Sequence, residues 1–266
     1  MMFRRLLLAT DLEGRSTNLE RIVHGGLQLL ILGDVLPSEN GREWRAIRVE
    51  HRVGFPDVEG EPGPTPRLDR QMTGALGLAT MILALQNETP EVTVLGGQLD
   101  RRPGPDEEGG SRTIDFTTRP SKSEIIRSWT EARLGSAVAE NYASFENGLP
   151  LLAFYDGGDD GLRFVASRSE PSEACTLDEI ESRRLELFSR LSGGAGDGHH
   201  ASTLLRSVFG EQGSVARYLV SHEVRGEGLT ERLGSNLMLI GKRRRLVAAL
   251  VRPGEKKLEV HVVPEH

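Results

Sequence analysis

The sequence contains a single cysteine, Cys175, so no internal disulfide framework is available and the fold must be held by its core. At 266 residues a globule buries enough apolar surface to do this. Long apolar runs are also missing: nothing approaches the roughly 20 residues that a membrane helix needs. Leu6-Leu7-Leu8-Ala9 is too short for the apolar centre of a signal peptide, and a cytoplasmic location is expected. Excess positive charge is absent too. A net charge of -6 argues against general binding to a phosphate backbone, so neither nucleic acid nor a bilayer is expected as a partner. No internal repeat is visible. What is present suits a soluble α/β protein rich in turns, with a mean hydropathy of -0.34 and 31 glycines.

The local patterns alternate strand and helix. Phe3 to Thr10 is a short apolar run ending at Asp11, as a buried parallel strand does when it passes into a loop. Thr17 or Asn18 is expected to cap a helix reaching about Gly25, and a second buried run, Leu27 to Leu32, ends in Gly33-Asp34. A helix is predicted over Arg70 to Asn87, followed by a third strand, Val92 to Leu95, running into Gly96-Gly97-Gln98-Leu99-Asp100. In open α/β sheets ligands bind at the carboxyl ends of such strands. Further helices are predicted over 122–135 and 136–147. Leu149 to Tyr155 and Leu162 to Ala166 read as strands joined by a turn whose glycines favour positive φ. Thr176 to Glu179 has capping-box spacing and opens a helix to about Leu191. Short strands are predicted at 216–220, 236–240, 246–251 and 258–263. Residues 35–67, 101–121 and 172–214 read as insertions in a single domain spanning 1–266, the first of them as a long loop or flap.

Taken in order, the segments at the strand ends resemble the signature blocks of calcineurin-like metallophosphoesterases, in particular the branch of serine/threonine phosphatases and dinucleoside tetraphosphatases. Asp11-Leu12-Glu13-Gly14-Arg15 resembles an opening D-x-H-G-N block, with Glu13 at the histidine position. Leu32-Gly33-Asp34 is similar to the second block, whose aspartate bridges two metals. Val94 to Asp100 resembles V-x-x-G-N-H-[DE], with Gln98 for asparagine and Leu99 for the catalytic histidine. Leu149-Pro150 and Phe164-Val165-Ala166 resemble the L-P and F-V-H-G-G strands, with Ala166 at the histidine position. Ser221-His222-Glu223 resembles the last metal block and keeps its histidine. The resemblance implies an α/β fold of the metallophosphoesterase type: an α/β/β/α sandwich, two mixed sheets flanked by helices, with long loop insertions.

In that family two metal ions activate water and clamp the phosphate, which needs carboxylates and imidazoles in a fixed cage. The resemblance implies a reduced metal set of Asp11, Glu13, Asp34, Gln98 and His222. An anionic Glu13 favours hard Mn²⁺ or Mg²⁺, and the expected cofactor is one such ion or none. Leu99 and Ala166 have no atom that ligates or transfers a proton. Loss of the imidazole at 99 removes a contribution typically worth about 10²–10⁴-fold. Ordinary alternatives stand beside these roles. Asp11 and Asp34 also suit loop-capping carboxylates at strand ends, Glu13 and Gln98 polar loop residues, and His222 a histidine bonded to backbone. Lys242-Arg243-Arg244-Arg245, between two predicted strands, reads as a solvated hairpin tip.

The expected function is that of a pseudophosphatase, a binding or regulatory module that engages a protein partner or a phosphorylated ligand. Two other readings compete with it: an active metal-dependent phosphoesterase with a reduced site, and a structural subunit of an assembly.

Overall fold

The computed structural model describes residues 5–9, 12, 16–23, 28–32, 41–54, 65–88, 92–96, 122–158, 160–167, 173–182, 200–221, 230–233, 237–240, 247–252 and 254–263. Its first half runs β1 (Leu6–Ala9), α1 (Ser16–Ile22), β2 (Gln28–Ile31), α2 (Gly41–Gly54), α3 (Pro66–Glu88) and β3 (Val92–Val94). Two adjacent helices follow, α4 (Lys122–Leu134) and α5 (Ser136–Gly148), and then the hairpin β4 (Leu152–Asp156) and β5 (Arg163–Ser167). The rest runs α6 (Leu177–Ser182), α7 (Ala201–Phe209), a 3-10 turn over Gly210–Ser214, β6 (Arg217–Ser221), β7 (Thr230–Leu233), β8 (Leu237–Ile240), β9 (Val247–Val251) and β10 (Glu259–Val262).

The strands form two five-stranded mixed sheets, ordered β10-β9-β1-β2-β3 and β4-β5-β6-β8-β7. Each has three parallel strands, β1, β2 and β3 in the first and β5, β6 and β8 in the second, with antiparallel strands completing it. Parallel strands covered on both faces need apolar residues in consecutive positions, and β1 supplies Leu6-Leu7-Leu8-Ala9. Alternation then assigns the faces. Leu6, Leu8, Leu30 and Leu32 meet Phe164, Ala166 and Leu219 in one dry layer between the sheets. Ala9, Leu29, Ile31 and Val94 point the other way, against Leu19 and Ile22 of α1 and Leu78 and Ile82 of α3. On the far side, Val165, Tyr218 and Val220 are covered by Ile180 of α6 and by Ala201, Leu204 and Leu205 of α7. These are the two mixed sheets flanked by helices that the sequence predicts.

Several predicted elements shift. The loop predicted over 35–67 is corrected at its centre, where Gly41–Gly54 is helical and Ile47 is 1% exposed among Leu68, Met72 and Trp129. α2 is short of apolar positions, which hid it, and it is fastened by polar contacts instead. Glu50 Oε2 accepts the backbone N–H groups of Arg67 (2.9 Å) and Leu68 (3.1 Å), and so caps the start of α3. α3 accordingly begins a turn earlier than predicted, with Thr65 before it and Pro66 in its first position. Asn18 is no cap: it lies inside α1, and its Nδ2 donates to the Leu12 carbonyl at 3.2 Å. The hairpin reading of 242–245 also fails, because β8 and β9 belong to different sheets; those four residues themselves lie outside the described set. β7, a polar edge strand, is missing from the prediction. Residues 101–121 and the predicted helix beyond Ser182 fall outside the described residues.

Two local signals hold in detail. Thr176 N–H donates to Glu179 Oε2 at 2.7 Å while Glu179 N–H donates to Thr176 Oγ1 at 3.3 Å, the reciprocal pair of a capping box. In the β4–β5 turn Gly158 has φ 82°, and its N–H donates to Asp156 Oδ1 at 2.9 Å. A Cβ on Gly161 would lie 2.1 Å from the Gly157 carbonyl oxygen.

Phe164, fully buried between the sheets, stacks on Tyr155 with centroids 5.3 Å apart. Phe164→Ala is expected to lower stability by about 3–5 kcal/mol and Thr176→Ala by about 1 kcal/mol, both read from urea midpoints. Equal losses for the two variants would contradict this division between core and cap.

Candidate functional site

Two backbone hydrogen bonds between the sheets decide where the strand ends lie. Leu162, just before β5, donates its N–H to the Glu255 carbonyl at 3.0 Å. Glu255 sits in the turn after β9, and since β9 pairs antiparallel with β1 (Val251 opposite Leu6), that turn marks the amino ends of the parallel strands in the first sheet. At the opposite end Gly96, beyond β3, donates its N–H to the Pro150 carbonyl at 2.9 Å. Pro150 precedes β4, whose Leu152 lies opposite Ser167 at the carboxyl end of β5. Both sheets therefore present the carboxyl ends of their parallel strands at one edge, the position where α/β proteins bind ligands.

The register at that edge is tight. Ala9, Ile31 and Val94 end β1, β2 and β3 side by side, and the ladder continues through Leu32 N–H to Ala9 O and Leu95 N–H to Ile31 O, each 2.9 Å. In sequence Asp11 follows β1 by two residues, Asp34 follows β2 by three and Gln98 follows β3 by four, while His222 directly follows β6. Asp11, Glu13, Asp34, Gln98 and His222 all lie outside the described residues, as does Leu99. What is described between Asp11 and Glu13 is Leu12, fully buried with Leu19 and Ile22 and bonded through its carbonyl to Asn18.

Ala166, which the resemblance sets at a histidine position, is among the described residues. It is fully buried in the layer between the sheets, with Ala153 and Leu219 as its neighbours across the ladder. Its methyl has no donor atom, so this position does not fit a metal ligand. Among the described residues no group of three or more His, Cys, Asp or Glu is placed to hold a metal ion. The sequence reading missed the pair next to it, Ser167 Oγ and the Tyr218 hydroxyl, 2.6 Å apart and both fully buried. They lie on the outer face beneath α7, so they satisfy each other within the packing. A serine and a tyrosine in separate strands give no sequence signal of such a pairing.

Arg163 is 8% exposed at the amino end of β5, where its Nε lies 2.8 Å from Asp156 Oδ1. It pairs with that carboxylate and ties together the two strands of the hairpin. The neighbouring Tyr155 hydroxyl is buried and has no hydrogen-bond partner among the described residues. Burial, and then the nearby Asp156 charge, push its pKa above the ordinary 10.0.

No protein-family model matches the chain, and no curated protein matches it. Among solved structures it is similar to a protein serine/threonine phosphatase from Saccharomyces cerevisiae with similarity to human phosphatase PP5. The two share 12% identity at a TM-score of 0.57, over 99% of this chain and 81% of that one. The chain has a metallophosphoesterase-like fold. At this identity the likeness is one of architecture, and it matches the two-sheet arrangement described above. No helix of the described residues is long and apolar enough to cross a membrane.

The raised Tyr155 pKa has a definite sign. The folded phenol holds its proton more tightly than the unfolded one, so this stabilisation is complete below pH 10.0 and is lost as pH rises through the higher folded value. Wild-type protein is therefore expected to lose stability relative to Tyr155→Phe as pH rises from 10.0 into the more alkaline range, read from urea midpoints. A difference that stays constant over that range would count against a buried phenol.

Proposed function

We propose that this chain is a degenerate metallophosphoesterase-fold protein, a pseudophosphatase acting as a binding or regulatory module. The observation that carries the reading is the pair of backbone bonds between the sheets, which brings the carboxyl ends of six parallel strands to one edge. That edge is where the fold offers a ligand site, and by sequence it carries Asp11 and Asp34 but has Leu99 and Ala166 at two imidazole positions.

Hydrolysis by a two-metal centre requires a metal-activated water and a proton donor for the leaving group. Asp11, Glu13, Asp34, Gln98 and His222 together supply enough oxygen and nitrogen donors for one hard cation. With leucine at 99 nothing at that position delivers a proton. Binding survives such losses better than turnover, because a carboxylate-held cation still attracts a phosphoryl or carboxylate group without any bond being broken. The partner proposed for this edge is a protein, with a phosphorylated group as one chemistry the edge accepts.

The test combines metal analysis with hydrolysis of a phosphomonoester and a phosphodiester in Mn²⁺ and in Mg²⁺. At most one bound ion and a rate near that of buffer are expected. Two bound ions with ordinary turnover would show the chain to be a working phosphoesterase and would sink the proposal.

A further inference from the structure

We infer that position 166 is a packed position of the core between the sheets, not a vacated ligand socket, so that the second half of a two-metal centre cannot form at the end of β5. This rests on the phosphoesterase reading above and extends it from a missing side chain to a closed space.

An emptied ligand position at a working edge would leave a gap or a polar lining. Among the described residues Ala166 has neither: it is 0% exposed, and its layer includes Phe164, Leu219, Leu30 and Leu32. Its cross-strand partners are Ala153 and Leu219, both hydrocarbon. The ladder also continues past it. Ser167 lies opposite Leu152 and Val220, and its hydroxyl is taken by Tyr218, so β5 is still fully paired where the family likeness would place a ligand.

A metal-bound imidazole needs an acceptor for its second nitrogen and room for the ion. At 166 the ring would replace a methyl in a filled layer, so it would overpack the sheets and bury unpaired polar atoms. The sheet-two wall of the edge is therefore apolar at this point. Any divalent ion is left to the groups that follow β1, β2, β3 and β6.

Accessibility tests the closed space without asking the chain to tolerate a large residue. In a Cys175→Ala background, Ala166→Cys should react with a small thiol reagent at least about 100-fold more slowly in native buffer than in urea. Reaction at the unfolded rate would overturn the inference. In a second arm, Ala166→His should bind no more Mn²⁺ than the unmodified chain and should unfold at lower urea; an additional bound equivalent overturns the inference whatever the urea midpoint. Phosphoester turnover by the unmodified protein would instead defeat the functional reading and leave the labelling result standing.

Discussion

The dry layer between the two sheets is the constraint on which the rest of this protein depends. Leu6, Leu8, Leu30 and Leu32 on one side and Phe164, Ala166 and Leu219 on the other exclude water from the middle of the molecule. Backbone polar groups in such a layer must be paired, and the parallel ladders pair them. Sliding the sheets against each other would break both the Leu162–Glu255 and the Gly96–Pro150 hydrogen bonds. Because those bonds stand at opposite ends, they set the direction of one sheet against the other as well as their contact.

The outer layers follow from the same strands. Each residue facing inward has a neighbour facing outward, so sealing the inner layer leaves Ala9, Ile31, Val165 and Tyr218 to be covered by helices. The first sheet receives α1 and α3, and α3 in turn carries α2, α4 and α5 through Met72, Trp129 and Tyr142. Polar contacts fix the angles within this second shell. Trp129 Nε1–H donates to Asp69 Oδ1 at 2.6 Å, Thr65 Oγ1 donates to the same oxygen at 2.8 Å, and Glu50 caps α3. The second sheet receives α6 and α7 from a segment that the sequence marks as an insertion.

Legibility tracked the strength of the local signal. The strands with consecutive apolar residues, the long stripe of α3 and the capping box at Thr176 were readable because each is decided by neighbours in sequence. α2 was not, since its described contacts are a buried isoleucine and polar bonds to other helices, from Glu50 to the start of α3 and from His51 to Ser128. β7 was missed for a similar reason: Thr230-Glu231-Arg232-Leu233 is a strand because β8 offers it an open edge. Of the candidate site, Asp11, Glu13, Asp34, Gln98 and His222 were legible as residue types following strands. The convergence of those strands was not, because β1 and β6 belong to different sheets and only long-range pairing relates them.

By itself the sequence determined the alternation of buried strands and amphipathic helices and the likeness to metallophosphoesterase blocks. In that likeness Leu99 and Ala166 stand where those blocks carry histidine. These are properties of short stretches, set by periodicity and side-chain chemistry. Tertiary structure alone decided that the two sheets share an edge, and that Ala166 is buried in the layer between them. The physical reason is that burial at 166 is conferred by Phe164, Leu219 and the leucines of the opposite sheet, and the amino-acid type of one residue does not state which neighbours close over it.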